Sequence, residues 1–311
     1  MSSFPPPPTP PPPPPPGGPS ASATADEATV CYRHPNRPTG RVCTRCGRPA
    51  CPDCLRQASV GSHCLECVKA AQPAGVEKVR RWAAGNLDIA TRSIIAVNIA
   101  VFVVGVVMSK GNALLGDTLT PLHRQGALFA PSYQFGTGSP TYRGVADGGY
   151  WRLVTSGFLH LGLLHVGLNM WALRNLGPTV ERLLGTRRFL LVYFASLVGG
   201  SAGALLVSPN VPTVGASGAI FGLFGLLAAT LHRQGVNPFR TSIGTFLLLN
   251  LAITFTIPGI SIGGHLGGLA VGAVCGYAMT GHGRKSPAWT TAVPVGLMVV
   301  AAAVATFAAQ R

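Results

Sequence analysis

The sequence predicts an all-α polytopic membrane protein of seven helices, preceded by a small domain of cysteine and histidine knuckles. Three observations predict it. Hydrophobic residues make up 47% of the 311 positions and charged ones only 11%, too apolar a balance for a soluble globular chain. Seven apolar stretches follow residue 92, several near the roughly 20 residues a spanning helix needs. Ahead of them, seven of the eight cysteines fall between Cys31 and Cys67.

Taken in order, residues 1–28 open with a proline tract, Pro5 to Pro16 broken only by Thr9. The tract lacks the basic start and apolar core of a signal peptide and has no side chains to build a core. It reads as a disordered or polyproline-II tail, a spacer or a ligand for a proline-reading module.

Residues 29–68 hold four pairs with two-residue gaps: Cys31/His34, Cys43/Cys46, Cys51/Cys54 and Cys64/Cys67. Eight soft ligands suffice for two tetrahedral zinc ions. Interleaved pairing puts Cys31, His34, Cys51 and Cys54 in one site and Cys43, Cys46, Cys64 and Cys67 in the other. This arrangement resembles the cross-braced B-box zinc finger. His63 is an alternative to Cys64, and a disulfide framework is the alternative to metal. With few apolar residues here, metal would supply most of the folding free energy. The module is expected in the cytosol, where it stays reduced and offers a surface to a cytosolic protein partner.

Residues 69–92 form a basic linker with Lys69, Lys78, Arg80, Arg81 and Arg92, which marks the adjacent membrane face as cytosolic. The apolar segments run at about 93–108, 158–173, 189–207, 214–231, 241–257, 260–279 and 289–309. Arg174, Arg182, Arg187 and Arg188 lie between the second and third, Arg233 and Arg240 between the fourth and fifth, and Arg284 and Lys285 between the sixth and seventh. The other short connections carry no Lys or Arg. By the positive-inside rule the amino terminus is cytosolic and the carboxyl terminus outside, in a multi-pass cell-membrane protein. The same rule accounts for the net charge of +15, and no basic domain with interleaved aromatics points to nucleic acid. The long first outer loop, 109–157, ends in Tyr150-Trp151-Arg152 and reads as an interfacial segment. Cys275 lies in an apolar segment and reads as a packing residue.

Polar groups inside apolar helices are costly and mark function. The second segment holds His160, His165 and Asn169. The fourth begins at Gly215-Ala216-Ser217-Gly218, and the sixth contains His265. All three segments enter from the outer face, so Ser217 and His265 share a depth. Gly218 and Gly222 on the fourth segment, and Gly264, Gly268, Gly272 and Gly276 on the sixth, are spaced to let two backbones touch. That packing would bring His265 within hydrogen-bond reach of Ser217 as its base. His165 and Asn169, four apart on one helix face, could donate to an oxyanion together with the Ser217 N–H. His160 lies well round the helix and reads as binding water or loop groups. Glu181 reads as a loop tie, paired with Arg182 or a neighbouring arginine. Among the apolar helices no Asp or Glu is placed to orient His265, so a serine mechanism here is a dyad.

The ordered set of Trp151-Arg152, His165-x3-Asn169, Gly177-x3-Glu181-x3-Gly185, Gly215-Ala216-Ser217-Gly218 and His265-x-Gly-Gly resembles the rhomboid intramembrane serine proteases over roughly residues 93–279. The resemblance implies a six-helix rhomboid-like bundle at 93–280, with 281–311 adding a linker and a seventh helix. It implies catalysis by Ser217 and His265 without a cofactor, an oxyanion hole from His165, Asn169 and Ser217, and Gly215 lining the site. Phe221 would stack on the histidine where the family often has Tyr. Substrates would be transmembrane segments of other proteins, reached laterally between the second and fifth helices. The rival readings are a catalytically silent rhomboid-like binder and, without the buried acids or repeated broken helices it would need, a transporter.

Overall fold

The computed structural model describes residues 29–58, 60–70, 88–116, 118–280 and 286–311. The proline tail, most of the basic linker, and Arg284 and Lys285 lie outside the described residues. The chain divides into two compact units, Met1–Trp82 and Ala83–Arg311.

In the first unit, β1 (Val30–Cys31) pairs antiparallel with β2 (His34–Pro38), and β3 (Leu55–Gln57) with β4 (Ser62–Cys64). A short helix, α1 (Leu65–Ala70), follows. Strands this short cannot hold a sheet by themselves. The buried core is mostly thiol, Cys31, Cys43, Cys51, Cys54 and Cys64 around Ala50.

The second unit is helical. Its long helices are α2 (Ile89–Met108), α5 (Gly162–Leu184), α6 (Thr186–Val207), α7 (Ser217–Arg233), α8 (Ser242–Thr256), α9 (Ile262–Met279) and α10 (Pro287–Ala309). The short helices α3 (Pro121–Gly126) and α4 (Arg152–Thr155) belong to the loop between α2 and α5. Among the described residues, α2, α6, α9 and α10 are each long and apolar enough to cross a membrane alone. Helix α8 is apolar but has only 15 residues. Helix α5 is long and apolar enough only together with residues 152–158, bent by 97° before it, and α7 has 17 residues.

The first and third long helices begin three to four residues earlier than the sequence reading, at Ile89 and Thr186, and the second and fourth differ in ways that bear on the site. The second helix starts at Gly162, not near Phe158, and runs on to Leu184 past Arg174 and Pro178. The start moves because Gly162 has φ +77°, where the chain turns by 97° between residues 152–158 and α5. The end moves because hydropathy measures lipid exposure, whereas Leu176, Val180 and Glu181 remain buried in the bundle. The fourth helix starts at Ser217, because Gly215 at φ +126° breaks any helix begun before it.

Helix α9 is the axis of the bundle. A Cβ on Gly268 would lie 1.9 Å from the Gly218 carbonyl oxygen, and one on Gly272 1.8 Å from that of Gly222. Backbone thus touches backbone between α9 and α7. A second glycine face, absent from the sequence reading, joins α9 to α6: Gly263 and Gly203 approach each other's carbonyls so closely that a Cβ would come within 2.1 and 2.2 Å. The sixth segment's glycines thus serve two partners, on adjacent faces.

Three charged groups organise the periphery, and two of them correct the sequence reading. Among the described residues Glu181 pairs with no arginine. Its buried carboxylate accepts from the backbone N–H groups of Ala90 (3.0 Å) and Thr91 (2.9 Å) and from the hydroxyls of Thr91 and Thr186, both at 2.8 Å. It therefore caps α2, placing a negative charge at the positive end of that helix. Arg152 does not face the interface. It is 1% exposed and donates to the carbonyls of Arg143, Ala127 and Arg124, tying the long loop together, with its guanidinium over the Phe129 ring. A buried guanidinium needs such partners, and carbonyls serve where no acid is at hand. Trp151 remains half exposed and its indole donates to Gln125 O. Exposed Arg92 pairs with Asp88 at the start of α2.

Candidate active site

Ser217 is the first residue of α7 and is half-buried. The strand leading to it is held on both sides. Leu128 and Thr213 exchange backbone hydrogen bonds of 2.9 and 2.8 Å, and Gly215 N–H donates to Ser156 O at 2.9 Å. Gly215 combines a positive φ with crowding, since a Cβ there would meet His165 Nε2 at 2.8 Å and lies 3.7 Å from Ser217 Oγ. A side chain at this position would collide with the imidazole of His165.

His165, on the first turn of α5, accepts the Leu161 N–H at its Nδ1 (3.3 Å). That bond uses the Nδ1 lone pair, so Nε2 carries the proton and faces the Gly215–Ser217 turn as a donor. Asn169, one turn on, is 7% exposed and donates one amide hydrogen to His165 O at 2.9 Å. Its second N–H is available.

His160 does not sit on the helix as the sequence reading had it. It lies in the bend before α5, 2% exposed, with its ring edge-on to His165 at 5.0 Å. Ala216 N–H points at its Nε2, 3.5 Å away, and its carbonyl receives His123 Nε2 at 3.1 Å. It supports the turn before Ser217, in agreement with the expected loop contact but from a different element.

His265 lies on the first turn of α9 and is 8% exposed. Its ring stacks on Phe221 with centroids 4.0 Å apart and planes at 16°. Phe221 is one turn after Ser217, so the stack aligns His265 with the serine's helix. Among the described residues no hydrogen bond joins Ser217 Oγ to His265. Such contacts in a site without substrate are commonly long and tighten when substrate binds. Thr254 of α8, which carries no motif in the sequence, meets His265 Nδ1 at 2.7 Å.

In the first unit the donor atoms of Cys31, His34, Cys51 and Cys54 lie within 4.8 Å of one another, as do those of Cys43, Cys46, Cys64 and Cys67. His34 Nδ1 is 3.7, 3.4 and 3.4 Å from the sulfurs of Cys31, Cys51 and Cys54, and the Cys46 and Cys64 sulfurs are 3.7 Å apart. Ligands at zinc distances in a tetrahedron are about 3.5–3.8 Å from each other, so both groups fit the ion. All eight cysteines are free thiols. Burial disfavours ionising Cys31 and Cys43, yet backbone N–H groups, of Cys51 and Arg33 for the first and of Cys64 and Cys46 for the second, bring both down to about 6. His63 lies outside either group.

The second unit is thus a bundle of apolar helices with a serine at one helix mouth, a stacked histidine on the adjoining helix and a second histidine close to the serine's turn. A family model described as Rhomboid domain matches residues 147–282. The putative rhomboid protease YdcA of Bacillus subtilis is 38% identical over 138 residues, 43% of this chain and 69% of that protein. The rhomboid protease GluP of the same organism is 38% identical over 138 residues, of which this chain covers 27% of the relative's length. Inactive RHOMBOID-like protein 8 of Arabidopsis thaliana is 36% identical over 107 residues, 34% of this chain and 29% of that protein. The chain belongs to the rhomboid family.

Proposed function

We propose that the chain is an intramembrane serine endopeptidase that cleaves transmembrane protein substrates in or near their membrane segments. The observation that carries this is the alignment of His265 by the Phe221 stack, at 4.0 Å, on the helix that Ser217 opens. Ser217 Oγ attacks the scissile carbonyl while His265 Nε2 takes its proton. The negative charge formed on the carbonyl oxygen meets His165 Nε2–H, the free Asn169 N–H and the Ser217 backbone N–H at the start of α7. His265 then returns the proton to the leaving amine, and water repeats the sequence on the acyl-enzyme. Gly215 lines the site because a side chain there would displace His165. Substrate would enter between α5 and α8, where Trp171 meets Phe246 with ring centroids 5.6 Å apart.

The amino-terminal unit would hold about two structural zinc ions on the two ligand groups, the metal supplying the crosslinks its small core lacks. Zinc plays no part in the peptide hydrolysis. In the membrane, the charge distribution supports a cytosolic amino terminus and an outer carboxyl terminus, with α10 as a seventh crossing. The decisive test compares purified wild-type protein with Ser217→Ala and His265→Ala on a transmembrane substrate in proteoliposomes. Cleavage lost in both variants is expected. Equal cleavage by all three would replace the protease reading with that of a silent helix binder.

A further inference from the structure

We propose that Thr254 is the positioning residue for His265, holding the imidazole in the tautomer that leaves Nε2 free to accept the Ser217 proton. The inference rests on the protease reading of Ser217 and His265 and supplies what a dyad lacks, a group that decides where the base carries its own hydrogen.

Thr254 lies near the end of α8 and is 2% exposed, and its Oγ1 has two polar neighbours. One is the backbone carbonyl of Asn250, at 2.6 Å. The other is His265 Nδ1, at 2.7 Å. A hydroxyl has one hydrogen to give. A carbonyl oxygen can only accept, and two oxygens 2.6 Å apart with no hydrogen between them repel. The hydrogen of Thr254 therefore goes to Asn250 O. What faces the histidine is an oxygen lone pair, so Nδ1 must bring its own hydrogen and donate. In neutral histidine that leaves Nε2 as the acceptor. The carboxylate of a serine triad imposes the same tautomer by the same geometry. Here a neutral hydroxyl does so, relayed to a helix carbonyl, which avoids placing a charge among apolar helices.

The arrangement also works through the reaction. When Nε2 takes the Ser217 proton the ring becomes a cation with both nitrogens as donors. Thr254 Oγ1 still accepts from Nδ1–H, and its hydrogen still rests on Asn250 O, so no further proton moves. When Nε2 delivers its proton to the leaving amine, the ring returns to the starting tautomer. His165, by contrast, is held in the opposite tautomer by the Leu161 N–H at its Nδ1. Two histidines beside one serine are thus assigned to opposite tasks, acceptor and donor, by what touches their Nδ1 atoms.

The test uses the full chain labelled with 15N-histidine in nanodiscs, at a pH where the ring is neutral, with His265 assigned by the signal lost in His265→Gln. The 15N shifts should show Nδ1 protonated and Nε2 bare in the wild type and in Thr254→Ser. In Thr254→Val the preference should be lost or reversed, with kcat for a transmembrane substrate lowered about tenfold and KM little changed, and Thr254→Ser restoring the rate. A wild-type His265 protonated on Nε2 would overturn the proposal, whether or not Thr254→Val folds. So would a folded Thr254→Val with the wild-type tautomer and rate. The tautomer is measured in Ser217→Ala as well, so it stands apart from whether the chain cleaves. Cleavage persisting in Ser217→Ala would sink the protease reading and leave the tautomer result untouched.

Discussion

Adding one methyl group to the seam between α7 and α9 tests whether backbone contact holds the site together. In Gly272→Ala the new Cβ would lie 1.8, 2.4 and 2.5 Å from the O, C and Cα of Gly222. All three are backbone atoms of a buried helix, so no side chain can swing away. Restoring ordinary contact requires the two helices to part by about 1.5 Å. Overpacking of this kind costs about 1–3 kcal/mol, and the better helix propensity of alanine returns up to about 1 kcal/mol. The greater effect is on geometry. Gly272 lies two turns below His265 on the same face of α9, so the histidine moves with it, and a misplacement of about 1 Å costs roughly a hundredfold in rate. Gly296→Ala in α10 is the control, because nothing lies within 4 Å of its added Cβ. The assay pairs thermal unfolding in detergent with cleavage of a transmembrane substrate. Gly272→Ala should melt several degrees lower and cleave at least tenfold more slowly, while Gly296→Ala matches the wild type. If both variants behave alike, the seam does not set the distance between serine and histidine.

Removing the ring under His265 by Phe221→Ala should lower kcat about tenfold, with Phe221→Tyr close to wild type, since a tyrosine keeps the stack. The assay is cleavage at saturating substrate. Replacing Glu181 by Gln puts an amide opposite two backbone N–H donors, so the folded state should lose about 1–3 kcal/mol by chemical unfolding, with the rate per folded molecule little changed. An unchanged unfolding midpoint would contradict its role as the cap of α2. Metal analysis of the intact chain should find about two zinc ions, and Cys31→Ser or Cys43→Ser should each lower that by about one. Two ions retained in either variant would break the assignment of ligands to two groups.

Much of the site is legible because its signals are local. Knuckle spacing places four ligands on two turns, a four-residue glycine repeat marks one helix face, and a serine between small residues marks a helix mouth. His160 reads as helical because hydropathy runs through the bend that Gly162 makes. Arg152 and Glu181 depart from the sequence expectation for a related reason. A charged residue near a membrane boundary is equally compatible with water, lipid or a buried network, and only its partners decide. Gly199, Gly203, Gly263 and Gly267 are as regular as the glycines of the other face, but a repeat does not name the helix it meets.

The sequence by itself carried the membrane class, the clustering of Lys and Arg in alternate connections, the eight thiol and imidazole side chains that the first unit gathers into two groups, and a serine and a histidine on glycine-faced helices. These follow from composition and from spacing within single elements, which the chain carries wherever it folds. Only the tertiary structure decided that Glu181 caps α2, that Arg152 is buried under carbonyls, that α9 touches both α6 and α7, and that Thr254 faces His265. Each depends on two elements meeting, and hydrogen bonds formed across such a meeting have no fixed separation along the chain for a sequence to display.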